Sequence, residues 1–108
     1  MNPTVSVIEP SGILNAVNGN ELRREITNLI STGMEIVLID LQDVTFIDSS
    51  GLGALVAAMQ SVKQANCKLF ICSVNDQVRM VFELTKMDRI LQIFATRDEF
   101  NSQVLAIQ

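Results

Sequence analysis

The sequence predicts an α/β domain: a mixed β-sheet of four to five strands with about four helices packed on it. Three observations lead there. After an opening strand pair, short runs rich in Val, Ile and Leu alternate with segments whose apolar residues recur at helical spacing. Two of those runs, Glu35-Ile36-Val37-Leu38-Ile39-Asp40 and Lys68-Leu69-Phe70-Ile71-Cys72, are almost continuously apolar, as strands buried on both faces are. The 108 residues fit one domain spanning 1–108, with no internal repeat or linker.

Each element follows from local pattern. Thr4-Val5-Ser6-Val7-Ile8 and Gly12-Ile13-Leu14 flank a turn at Glu9-Pro10-Ser11 and read as a hairpin. Asn18-Gly19-Asn20 interrupts the chain and can cap a helix carrying Leu22, Ile26, Leu29 and Ile30; Ser31-Thr32-Gly33 stops it. The strand over 35–40 comes next, expected to pair in parallel with its neighbours across helical crossovers. Val44-Thr45-Phe46-Ile47 then runs into Asp48-Ser49-Ser50, and Leu52, Leu55, Val56, Met59 and Val62 keep helical spacing as far as Ala65-Asn66. Past the strand over 68–72, Asn75 or Asp76 caps a helix bearing Val78, Val81, Phe82 and Thr85. A short strand over 90–94 and a helix over 97–105 finish the chain.

Composition excludes several functions. Eight basic against twelve acidic side chains give a formal charge of −4 and no basic footprint, so nucleic acid is not expected as a direct partner. An anionic membrane surface is disfavoured for the same reason. The one basic pair, Arg23-Arg24, fits a solvated helix face. Met1-Asn2-Pro3-Thr4 lacks the charged-then-apolar pattern of a signal peptide, and no apolar stretch approaches a membrane span, so a cytoplasmic protein is expected. Cys67 and Cys72 fit neither a CxxC redox motif nor a zinc site and read as buried reduced thiols. The absence of histidine is the most restrictive count. It removes the usual general base, the Ser-His-Asp and Cys-His arrangements and most catalytic zinc sites. No cofactor or metal is expected.

One segment stands out: Asp48-Ser49-Ser50-Gly51-Leu52-Gly53, at the junction of a strand and a helix. A helix cap accounts for part of it, since Ser or Asp at that position contributes about 0.5–2 kcal/mol. Yet one such residue suffices, and three polar residues are present. Gly53 then falls within the first helical turn, where glycine costs about 0.5–1 kcal/mol relative to alanine. With Ala54, Ala57 and Ala58 it would leave a low helix face for another protein to lie on. Enzymatic motifs fail at this segment. Ile47 and Asp48 stand where a nucleophile elbow needs its first glycine, and Val56 stands at the third glycine of a dinucleotide fingerprint. No P-loop occurs. Asp40 with Lys86 could suggest a phospho-accepting aspartate, but only Glu9 follows Ile8 where a metal-holding acidic pair is needed. A protein-binding module is expected, not an enzyme.

Val44-Thr45-Phe46-Ile47-Asp48-Ser49-Ser50-Gly51-Leu52-Gly53 resembles the signature of the STAS family, in particular its bacterial anti-sigma factor antagonists. The likeness extends along nearly the whole chain: Gly12-Ile13-Leu14-Asn15 lies where the family has Gly-x-Leu-Asp, and Val78-Arg79-Met80-Val81-Phe82-Glu83-Leu84-Thr85 is similar to its third-helix segment. The resemblance implies a STAS-type sheet and a role in partner switching and transcription regulation. By this resemblance, the unphosphorylated protein binds an anti-sigma factor that is also a GHKL-type serine kinase, freeing a sigma factor. The kinase phosphorylates the serine after the motif Asp, here Ser49, and a PP2C-type phosphatase reverses this; ATP and Mg²⁺ belong to the kinase. The partner-binding residues it implies are Asp48, Ser49, Ser50, Gly51, Leu52, Gly53 and Asn15, with Asp48 and Ser50 as turn and interface groups and both glycines as room for the partner. The choice of Ser49 over Ser50 rests on the resemblance alone. Two departures bear on the partner: Asn15 replaces the usual Asp, and Lys86-Met87 follows Thr85 where the family commonly has Gly. The alternative is a STAS adaptor in another assembly, such as a lipid-transport complex or stressosome-like scaffold, without phosphorylation.

Overall fold

The run 36–40 is buried along its whole length because strands flank it and helices cover both faces. The computed structural model describes residues 4–105; residues 1–3, on which the signal-peptide reading mostly falls, and 106–108 lie outside it. In chain order the elements are β1 (Val5–Ile8), β2 (Ser11–Leu14), α1 (Ala16–Ser31), β3 (Ile36–Asp40), β4 (Asp43–Ile47) and α2 (Ser49–Gln64). Then come β5 (Lys68–Cys72), α3 (Asp76–Leu84), a 3-10 turn (Met87–Arg89), β6 (Gln92–Phe94) and α4 (Arg97–Phe100), which runs on as a π turn (Asn101–Leu105).

Four strands form one sheet in the order β1-β3-β5-β6; β2 and β4 form a separate ribbon. Every pairing among them is parallel. Parallel neighbours need long crossovers, and the helices supply them. The pleat sends alternate residues to opposite faces. Val37, Ile39 and Ile71 join Leu22 and Ile26 of α1, Leu55 and Val62 of α2, and Val78 and Phe82 of α3 in the larger core. Ile36, Leu38, Phe70 and Cys72 face the other way, against Phe100 of α4. Phe70, Phe94 and Phe100 pack there with ring centroids 5.4–5.8 Å apart.

The expected opening hairpin does not form. β1 pairs with β3, and β2 pairs with β4. The physical reason lies in β3, which is apolar on both faces and needs a strand on each side; β1 fills one side and β5 the other. The left-over β2 matches β4 through a register shift between Gly12 and Ile13, where Gly12 holds φ at +78°.

The start of α1 also differs from expectation. Asn15, not the 18–20 stretch, caps the helix: its Oδ1 accepts from the Asn18 N–H at 3.1 Å. Gly19 is therefore an interior helical residue. It is there because α1 and α2 lie very close: a Cβ on Gly19 would sit 2.8 Å from the Ala54 Cβ and 3.5 Å from the Gly51 Cα. Tertiary packing overrides the poor helix propensity of glycine. Other boundaries agree with the pattern: Thr32 caps the end of α1, with Gly33 at φ +89°, Ala65 ends α2, and Asn75 caps α3.

Candidate functional site

The β2–β4 ribbon releases two helices from adjacent strand ends. Leu14 and Ile47 are register partners, and one residue beyond each stands an amide or acid that caps the helix following it. The Asp48 carboxylate accepts from the Gly51 N–H at 2.8 Å, while the Asp48 N–H donates to the Leu14 carbonyl at 3.2 Å. On the neighbouring helix, the Asn18 side-chain amide donates to the Ile13 carbonyl at 2.6 Å. Two helix N-termini thus lie side by side at one end of the molecule.

Ser49 and Ser50 are the first two residues of α2 and both are exposed. Their backbone N–H groups have no acceptor within the helix, so this end carries partial positive charge. Gly51 is different. It is buried, and a Cβ there would run into the Leu14 carbonyl. Its bareness makes room for the chain's own strand end, not for a partner as expected. Leu52 is partly buried against the core. Gly53 is exposed, and a Cβ there would meet nothing within 4 Å.

The low helix face expected across Ala54, Ala57 and Ala58 is divided. Ala58 is in the core and Ala54 meets α1. Gly53, Ala54 and Ala57 line a shallow hollow of 330 Å³ with Ala16, Asn20, Arg23 and Ser50. Asn15, as the cap of α1, stands beside the Asp48 turn.

The sequence reading missed three side chains at this end. Ile13 and Phe46, which are register partners, and Val17 in the first turn of α1 are exposed by 48%, 38% and 66%. Adjacency held the signal: Leu14 and Ile47 are buried, so Ile13 and Phe46, each one residue earlier, point away from the core. The register shift at Thr45 is what puts Phe46 on the other face from buried Val44. Exposed aliphatic and aromatic groups near a polar turn make this end a candidate contact surface.

Asp40, weighed above as a phospho-acceptor, is 4% exposed and engaged. It accepts from Arg97 at 2.7 Å and from the Gln42 N–H at 3.0 Å, and Arg97 also pairs with Glu9 at 3.1 Å. The bond to Asp40 pushes the Arg97 guanidinium further up from its ordinary range. Both thiols are free: Cys72 is buried, and burial raises its pKa, whereas Cys67 is half-buried and donates to the Met34 carbonyl at 3.1 Å. Among the described residues no cluster of His, Cys, Asp and Glu is placed to hold a metal ion, and no helix is long and apolar enough to cross a membrane.

Known proteins share this architecture. An anti-sigma-B factor antagonist of Staphylococcus aureus is 26% identical over 86 residues, covering 80% of each chain. The crystal structure of a candidate anti-sigma factor antagonist from Thermotoga maritima superimposes with a TM-score of 0.85 at 29% identity, over 93% of this chain and 86% of that one. Two more distant structures share the fold. The Bacillus anti-sigma factor antagonist SpoIIAA is 21% identical in its unphosphorylated and phosphorylated forms, each with a TM-score of 0.71, over 96% of this chain and 92–94% of theirs. The STAS domain of a Vibrio cholerae SulP transporter gives 0.71 at 16% identity, over 90% of this chain and 77% of its own. The STAS domain family model matches residues 1–100. The chain belongs to the STAS domain family.

Proposed function

We propose that this chain is an anti-sigma factor antagonist acting in the cytoplasm, a binding module whose contact with an anti-sigma factor is switched by phosphorylation of Ser49. The partner is an anti-sigma factor with GHKL-type serine kinase activity, and a PP2C-type phosphatase reverses the modification. Support comes from the Staphylococcus and Thermotoga relatives and, above all, from one observation. Ser49 is exposed at the start of α2, just past the ribbon end that bears exposed Ile13 and Phe46, so one hydroxyl would control the charge at the edge of an apolar surface.

The chemistry fits this reading. A kinase brings its own base, nucleotide and metal, so the acceptor needs only an accessible hydroxyl. Phosphate adds about −1.5 to −2 charges. The N-terminus of α2 tolerates that charge within the fold. A partner covering Ile13, Val17 and Phe46 does not, because it would desolvate a dianion beside the Asp48 carboxylate. Phosphorylation therefore removes binding without unfolding the domain.

The test uses a candidate kinase with ATP and Mg²⁺, read by intact-mass spectrometry. The native chain and Ser50→Ala gain one phosphate, and Ser49→Ala gains none. Ser49→Ala keeps its affinity for the kinase, and Ser49→Asp loses at least tenfold. Modification of Ser50 instead, or loss of binding by a folded Ser49→Ala, refutes the scheme. The likeness to a transporter STAS domain supports the second reading, an adaptor that binds its assembly without modification. Stable binding to a partner that never phosphorylates the chain is its distinguishing result.

A further inference from the structure

A broad concavity lies at the far end of α2 from Ser49, where the second half of that helix, the start of β5 and the residues entering β6 meet. It is open to solvent on one side and holds about 500 Å³, within the size range of small-molecule pockets. Met59, Val62, Leu69 and Leu91 give it an apolar floor, and Lys63 and Lys68 line its wall. Of these, Val62 and Leu91 are buried, whereas both lysines are exposed.

Charge narrows the ligand. The chain carries a formal −4 and only three lysines, yet two of the three line this hollow and no Asp or Glu does. Both ion pairs among the described residues belong to Arg97, so no carboxylate pairs with either of these ammonium groups. The floor offers hydrocarbon, not a cradle of N–H groups, and the carbonyl end of α2 lies nearby with its partial negative charge. That disfavours polyphosphates and favours a single negative charge on a hydrocarbon body.

We propose that this hollow binds a medium-chain aliphatic carboxylate, its chain over Met59, Val62, Leu69 and Leu91 and its head group between Lys63 and Lys68. Its lining residues on α2, Met59 to Lys63, lie about 15–21 Å along the helix from Ser49, so occupancy leaves the serine end uncovered. Cys67, which also lines the hollow, provides a probe.

The experiment titrates the full chain with octanoate, acetate and 1-octanol, following backbone amides by NMR and alkylation of Cys67. Octanoate should shift the amides of Lys63, Cys67, Lys68 and Leu91 saturably and slow the alkylation; acetate should do neither. A Lys63→Gln/Lys68→Gln double variant, shown to be folded by its amide spectrum, should bind octanoate at least fivefold more weakly. Its affinity for 1-octanol should change less than twofold. Three results overturn the proposal: no saturable shift at these residues, an equal response to acetate, or unchanged octanoate affinity in the folded double variant.

Discussion

Gly51 and Gly53, two positions apart in one helical turn, meet opposite surroundings. A methyl group on Gly51 would collide with the Leu14 carbonyl, a backbone atom that can move only if the β2 end and the Asp48 turn move with it. A methyl on Gly53 would point into open space. Gly51→Ala should therefore destabilise the domain by about 1–3 kcal/mol, the usual range for overpacking. Gly53→Ala should stabilise it by about 0.5–1 kcal/mol through helix propensity alone. Urea denaturation of the two variants checks this, and a Gly51→Ala midpoint equal to that of Gly53→Ala would sink it. The comparison also shows what was legible. The sequence marks 48–53 as exceptional, but two glycines look alike until the strand end that only one of them touches is in place.

Among the elements, α4 depends on a single polar latch. Its first residue, Arg97, reaches Asp40 at the end of β3, while Phe100 fills the second core with Phe70 and Phe94. Removing the guanidinium would leave the buried Asp40 carboxylate with only the Gln42 N–H. Arg97→Ala should cost about 1–3 kcal/mol, at the level of an orphaned buried polar group rather than a full buried ion pair, because Arg97 itself is partly solvated. Amide exchange should rise first in 97–105; loss of protection spread evenly over β3 and α1 would contradict the latch. Elements with a strong local pattern, such as α2, β3 and β5, were readable from the sequence. The pairing of β1 and β2 was not, because a Pro-containing turn suits a hairpin and a change of sheet equally well, and only the needs of β3 decide between them. The start of α1 was misplaced for a related reason: Gly19 reads locally as a break, and its purpose is contact with another helix.

The molecule as a whole sets unequal demands on the two faces of its sheet. Three helices cover one face, and a single short helix with its π turn covers the other, where Cys72 is buried. Burial raises the pKa of this thiol, so in the folded state it stays protonated while an unfolded thiol ionises. Stability from this source is fully present below the ordinary thiol value of about 8.5 and declines as pH rises through the folded value. The urea midpoint should fall between pH 7.5 and 9.5, and Cys72→Ala should show a shallower fall. An identical slope in that variant would assign the alkaline loss to other groups.

The missing opening hairpin has a consequence for how the chain acquires this shape. β1 finds its partner only when Ile36 to Ile39 are available, and β2 only when residues 43–47 are. The first sheet contacts therefore close loops of roughly thirty residues, and such long-range pairings form slowly. On a ribosome, the amino-terminal strands would emerge with nothing to pair with, β1 waiting for β3 and β2 for β4. The segment proposed to carry the switch directly follows β4, and so emerges just as the last of these two pairings becomes possible.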